Sequence, residues 1–222
     1  MSLYRQLKLI LKSESLVKFE NLLKVAHEIN AINPLALYDF INLILKPMQS
    51  ELNLITAELG TGVVKQIGVK DLFTVKMEPY LYELNRTSVS PHSNDHKLKI
   101  NCDIAFTRPW NRQRYIDNLC YLSSRIPEGD LVIWKEDSNH SVTLILPWRF
   151  FLVGTGNHSI MAGIATGQGE VSPQEVEDFS WLFSKFHTNG KYWFDSETNK
   201  KVDKVKNYRG AAVFEIGRLL SS

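Results

Sequence analysis

Leu152-Val153-Gly154-Thr155-Gly156-Asn157-His158-Ser159-Ile160 sets glycines and small polar residues between two apolar runs. Ahead of it, Phe150-Phe151-Leu152-Val153 carries no polar side chain, which predicts a strand covered on both faces. Behind it, Asn157 to Thr166 places Ile160, Met161 and Ile164 on one face and predicts a helix that Gly167 stops. A strand entering a helix through glycines leaves the first-turn N–H groups without intrahelical acceptors, and the helix dipole favours negative charge there. The stretch therefore predicts an anion site. A purely structural reading stands beside it, with Asn157 as an N-cap and His158 packed against its neighbours.

Working outward, Lys97 to Phe106 alternates and predicts a strand ended by Pro109, followed by a helix from Trp110 to Ile126 with Ile116, Leu119, Leu122 and Ile126 inward. Arg108, held at a strand end by a rigid proline, can reach across neighbouring strand ends toward the helix that starts at Asn157; it can equally be a surface arginine before a strand terminator. Arg112 and Arg114 add positive charge if the helix begins after them. Leu131-Val132-Ile133-Trp134 and Val142-Thr143-Leu144-Ile145-Leu146 predict a hairpin closed by Glu136 to His140.

Farther toward the C-terminus, Ser172-Pro173-Gln174-Glu175 reads as a helix start, with the helix running from Gln174 to Phe186. Glu170, Glu175, Glu177 and Asp178 would complement its dipole. Lys191 to Asp195 and Ala211 to Ile216 read as strands, aromatic and interleaved with lysines. Such aromatics either stack the bases of a single strand or close a hairpin whose Trp and Tyr fill the core edge. The run Lys200, Lys201, Lys204, Lys206 and Arg209 reads as a solvated face.

Toward the N-terminus, residues 3 to 48 predict a helical hairpin. Leu16, Phe19, Leu22, Leu23, Ala26 and Ile29 form its first stripe; the second, after Asn33-Pro34, is Leu37, Phe40, Ile41, Ile44 and Leu45, ending near Pro47. These stripes need a partner surface, in this chain or on another protein. Thr87 to His96 is rich in turn formers and predicts a linker, dividing the chain into a mainly helical region 1–96 and an α/β domain 97–222 with a C-terminal extension. His92 and His96 stand four apart but lack acidic or cysteine partners at ligand spacing, so no metal site is expected.

Composition narrows the classes. The 26 Lys and Arg against 24 Asp and Glu leave +2, without the basic excess of a dedicated nucleic-acid binder. No apolar run reaches the roughly 18 residues of a membrane span, and Met-Ser-Leu-Tyr-Arg does not open a signal peptide, so a cytoplasmic protein away from membranes is expected. Cys102 and Cys120 are too few for a disulfide framework and are expected in the core.

From Ile104 to Gly167 the chain resembles the ParB/sulfiredoxin superfamily, and is similar to uncharacterised bacterial ParB-like domains of unknown function. The match is carried by Ile104-Ala105-Phe106-Thr107-Arg108-Pro109, a helix, several strands, and Gly156-Asn157-His158-Ser159 with Ala162 and Gly167 behind it. Sulfiredoxins carry an Arg-Pro element at the corresponding strand end and a Gly-Cys-His-Arg turn. The resemblance implies an α+β protein: a small mixed-sheet domain, preceded here by helices, that binds a nucleoside triphosphate, ATP or CTP, with magnesium. Carried over, Arg108 and His158 would face phosphate and Gly156 and Asn157 would offer backbone N–H groups; Ser159 shares their turn, and Arg112 and Arg114, from the cluster of three arginines in seven residues, would compensate for positive charge the site lacks. His158 would be the group that orients or protonates an oxygen during phosphoryl transfer or hydrolysis.

Three departures stand out. Asn157 occupies the place of the sulfiredoxin cysteine, which excludes sulfinic acid reduction for want of a thiolate. Ser159 replaces an arginine, and Asn118 stands where sulfiredoxins have a lysine. A second class is thus open: a non-catalytic ParB-like module that binds a protein through its N-terminal helices, or DNA through its basic C-terminal segment. A nuclease is disfavoured because the paired acidic residues of two-metal cleavage are missing.

Overall fold

The computed structural model describes residues 13–62, 67–81, 87–88, 96–123, 125 and 131–221. It is a mixed α+β fold with helices leading and small sheets following. The helices are α1 (Glu14–Ile32), α2 (Ala36–Leu59), α3 (Val69–Leu72), α4 (Glu78–Leu81), α5 (Arg112–Leu122), α6 (Asn157–Thr166), α7 (Leu182–Lys185) and α8 (Tyr208–Leu220). The strands are β1 (Thr87–Ser88), β2 (Leu98–Lys99), β3 (Ala105–Phe106), β4 (Ser141–Leu146), β5 (Phe150–Thr155), β6 (Glu170–Val171), β7 (Glu175–Asp178), β8 (Phe186–Thr188), β9 (Tyr192–Asp195) and β10 (Lys201–Lys204).

By contacts the chain divides differently from a single cut at residue 97. Met1–Ile44, Val69–Asn85 and Phe179–Ser222 form one unit, and Leu45–Gly68 with Arg86–Asp178 form the other.

In the first unit, Ser13 accepts the Leu16 N–H and starts α1, whose Phe19 and Ala26 are buried. This helix packs on α8. Ala211 to Ile216, expected as a strand, lies within α8: a short apolar run is ambiguous between the two states, and here Asn207 decides by accepting the N–H groups of Arg209 and Gly210. Phe73, Phe183 and Trp193 meet Phe214 edge to face with centroids 5.2, 5.1 and 5.0 Å away. The expected strand at Lys191 to Asp195 is β9, the centre of the antiparallel sheet β10-β9-β8. The expected helix from Gln174 to Phe186 is replaced by strand β7, the single turn α7 and the start of β8. Glu-Val-Glu alternates, with Val176 buried and Glu175 exposed, so a period of two prevails, and the acidic cluster caps no helix.

Helix α2 passes Pro47 instead of ending there. Beyond the proline, buried Gln49 donates to the Ala105 carbonyl at 3.1 Å and Thr56 donates to that of Pro109, so tertiary bonds carry the helix onward.

The second unit is built on the sheet order β1-β7-β4-β5-β3. Strand β5 lies inside it, antiparallel to β4 and parallel to β3, as its unbroken apolar run requires. The expected strand Lys97 to Phe106 is two pieces. Lys99 N–H bonds the Asp103 carboxylate at 2.7 Å and folds the chain into a turn between β2 and β3. Leu131 to Trp134 is not a strand; β4 pairs with β5, and the Trp134 indole N–H instead bonds the Ser159 carbonyl at 3.0 Å. Helix α5 starts at Arg112 on the Asn111 cap, and Ile126 lies outside the described residues. Helix α6 spans the expected residues, ended by Gly167 at φ 71°. Cys102 and Cys120 are exposed, not core. Among the described residues no helix is long and apolar enough to cross a membrane.

Candidate functional site

The ends of β3 and β5 and the start of α6 meet at one side chain. Asn157 Oδ1 accepts the Arg108 N–H at 2.5 Å, and its Nδ2 donates to the Gly154 carbonyl at 3.1 Å. Asn157 is therefore not the N-cap; that position belongs to Gly156, at φ 76°. A Cβ at Gly156 would stand 2.4 Å from the His140 ring, so only glycine fits the turn. The first helical bond runs from Ile160 N–H to the Gly156 carbonyl at 2.9 Å, and no side chain caps the helix. The N–H groups of Asn157, His158 and Ser159 thus have no intrahelical acceptor, and the positive end of the dipole lies beside them.

These groups border a cleft of about 410 Å³ whose walls include Arg108, Trp110, Arg114, Asn118, Asn139 and the Gly154 to Ser159 turn. Its lining holds two guanidinium groups and no carboxylate, a combination suited to an anion. A second hollow of about 420 Å³ shares Asn118, Asn139 and Ser159 with it and is walled by Tyr121, Ile133 and Trp134.

His158 is 7% exposed. Its Nε2 accepts the Asn111 N–H at 3.0 Å, so the neutral ring carries its proton on Nδ1. Trp110 meets the ring edge-on at 5.7 Å, and the Arg114 guanidinium sits 5.7 Å over Trp110. Burial, reinforced by the Arg114 charge, holds the imidazole below its ordinary value. With Nε2 occupied by the Asn111 N–H, only the Nδ1–H of His158 is left for the orienting or protonating role expected of it.

Of the expected residues, Arg108, Arg114, Gly156, Asn157, His158 and Ser159 line the cleft. Arg112 does not; it is exposed, its N–H on Thr61 Oγ1 at 3.3 Å. Because α5 begins at Arg112, positions 112 and 114 are roughly 200° apart around its axis, and only one can face the cleft. Sequence reasoning missed Trp110 and Asn139; Gly154 and Thr155 it placed in the turn, and Asn118 beside the site, without giving them a role. An aromatic beside an Arg-Pro pair is a readable signal for Trp110; Asn139 arrives from a distant loop and has none.

Magnesium finds no carboxylate in the lining, which leaves no charged protein oxygen to hold it. Among the described residues no group of three or more His, Cys, Asp or Glu could hold a metal ion; His92 lies outside them.

The molecule is thus an α+β protein whose second unit carries, at a helix N-terminus, a cleft lined by two arginines. From residue 6 to residue 222 the chain matches the model of a family of unknown function (DUF6710), and it belongs to that family. No curated protein and no solved structure matches it.

Proposed function

We propose that the second unit is a ParB/sulfiredoxin-type domain whose cleft binds the phosphate groups of a nucleoside triphosphate, ATP or CTP, or of another phosphate ligand, in the cytoplasm. The observation that carries the proposal is the convergence of Arg108, Arg114 and three first-turn N–H groups on a cleft without carboxylates. The adjoining hollow, with Tyr121 and Trp134 on its walls, offers room for a planar base. Any magnesium would ride on the phosphates, since the lining offers it no charged ligand.

The chemistry favours binding over turnover. Phosphoryl transfer or hydrolysis would rest on the Nδ1–H of a neutral His158, with no carboxylate beside it to act as base. Thermal unfolding with each common nucleoside triphosphate, with and without magnesium, tests the proposal. Ligand at about 100 times its Kd stabilises by about 2.7 kcal/mol, roughly 5–10 °C for a chain of this size. Arg108→Ala should abolish the shift; a shift that survives it, or none with any nucleotide, sinks the proposal.

A second reading, a module that docks a protein through the N-terminal helices, is favoured by Ile32, Leu35 and Leu43, which remain 88%, 71% and 69% exposed. Changing these three to aspartate should leave any nucleotide response intact while altering self-association on gel filtration; unchanged elution removes self-docking as that role.

A further inference from the structure

Register separates the sheet β10-β9-β8 of the first unit into two dissimilar faces. Phe186 lies opposite Asp195, Thr188 opposite Trp193, and Trp193 opposite Asp203. This is the inward face: Phe186 is 3% and Trp193 0% exposed, and Asp203 accepts the Thr74 hydroxyl at 2.7 Å. The alternate positions, His187, Tyr192, Phe194, Lys201 and Lys204, share the outward face. Their three rings are partly exposed and both lysines exposed.

Rings that serve only to close a core edge are turned inward, as Trp193 is, whereas His187, Tyr192 and Phe194 lie on the other face and keep part of their surface open. His187 and Phe194 stack with centroids 5.1 Å apart and planes at 8°. The Lys201 ammonium lies 4.4 Å from the centre of the Tyr192 ring and that of Lys191 5.6 Å from it, so two cations gather at one ring. Both carboxylates of the three strands, Asp195 and Asp203, fall on the other register. Asp195 is also occupied, accepting Thr198 N–H at 2.7 Å and its hydroxyl at 2.8 Å. From Phe179 to the C-terminus there are eight Lys and Arg against four Asp and Glu, an excess larger than the +2 of the whole chain.

We infer that this face binds single-stranded nucleic acid, with unpaired bases stacking on Tyr192 and the His187–Phe194 pair and with Lys191, Lys201 and Lys204 on the phosphates. Stacking platforms flanked by cations accept any base, because each has a π-face, and the lysines follow the backbone. A duplex keeps its bases stacked internally and offers the rings nothing, and an acidic peptide offers charge without planar groups. The Lys201 ammonium leaves the Tyr192 ring for a phosphate as a base takes its place. The surface belongs to the first unit and does not depend on the phosphate cleft of the second.

The test is fluorescence anisotropy of a labelled 15-nucleotide oligo(dT) with the full chain. Three or four phosphate contacts should weaken binding roughly 20- to 50-fold between 50 and 200 mM salt. Phe194→Leu, which keeps apolar cover and removes the π-face, and Tyr192→Ala should each cost about tenfold. Lys201→Gln with Lys204→Gln should flatten the salt dependence by two phosphates' worth. Melting curves of each variant identify any that fail to fold, and Phe194→Leu carries the test if Tyr192→Ala is among them. No binding at 50 mM salt overturns the inference. So does equal affinity for a duplex of the same length, equal competition by polyglutamate, or indifference to both ring substitutions, since each describes a mere polyanion surface.

Discussion

The backbone N–H of Arg108 donates to the side-chain oxygen of Asn157, joining positions 49 residues apart in sequence. The amide nitrogen of the same side chain holds the Gly154 carbonyl, so one asparagine sets the end of β3, the exit of β5 and the entry of α6 relative to each other. Asn157→Ala leaves a partly buried N–H and C=O unpaired, at about 1–3 kcal/mol each for fully buried groups. A loss of several degrees in melting temperature is expected, together with weaker nucleotide binding. Asn157→Asp keeps an acceptor for Arg108 and lies at the positive end of α6, so it should melt closer to the parent while repelling phosphate. If Asn157→Asp binds nucleotide as well as the parent protein does, phosphate does not sit at this helix terminus.

Two glycines bound the same helix in similar backbone conformations but different surroundings. Gly156 has φ +76° with the His140 ring 2.4 Å from where a Cβ would be, whereas Gly167 has φ +71° and nothing within 4 Å. Gly167→Ala should cost only the left-handed conformation, about 1–2 kcal/mol. Gly156→Ala adds a clash with a buried ring and should cost clearly more. Urea midpoints at unchanged m-value measure both. Equal losses would mean that the His140 contact yields freely.

Legibility in the sequence followed how far each signal depends on neighbours. The turn from β5 into α6 was readable because glycines, a buried strand and a helical stripe are local statements. So were the stripes of α1 and the first half of α2. Beyond Gly167 the strand at Lys191 to Asp195 was readable and its neighbours were not: Ala211 to Ile216 suits either state until Asn207 caps it, and Glu175 to Asp178 becomes a strand by lying parallel to β4. Pro47 misled because the bonds of Gln49 and Thr56 that carry α2 onward reach residues more than fifty positions away. At the site, the loop bearing Asn139 and the tautomer of His158 are tertiary facts with no local trace.

His158 makes stability depend on pH in a definite direction. Its folded value lies below the ordinary 6.5 because burial, then the Arg114 charge, disfavours the imidazolium. The unfolded chain therefore binds more protons as pH falls below about 6.5, and stability, fully present above that value, declines until the folded value is passed. His158→Gln can still accept the Asn111 N–H but does not titrate, so its stability profile between pH 5 and 8 should be flatter than the parent's. Parallel profiles for the two proteins would show that the titration belongs to another group.

The arginines of α5 supply the sharpest test of the cleft. Arg114 lines it and rests on Trp110, while Arg112, two positions earlier, is exposed on another face of the same helix. Both side chains carry one charge, so a diffuse electrostatic attraction would feel either loss alike, and salt would screen both. Direct coordination would not, because a guanidinium within hydrogen-bond reach of phosphate contributes about 1.5–3 kcal/mol. Arg114→Ala should therefore weaken nucleotide affinity by roughly 10- to 100-fold, and Arg112→Ala by less than about twofold. Isothermal titration of the two variants at 150 mM salt separates the cases. Equal small losses would reduce the cleft to a region of positive potential, and a larger loss for Arg112→Ala would place the ligand on the other side of α5.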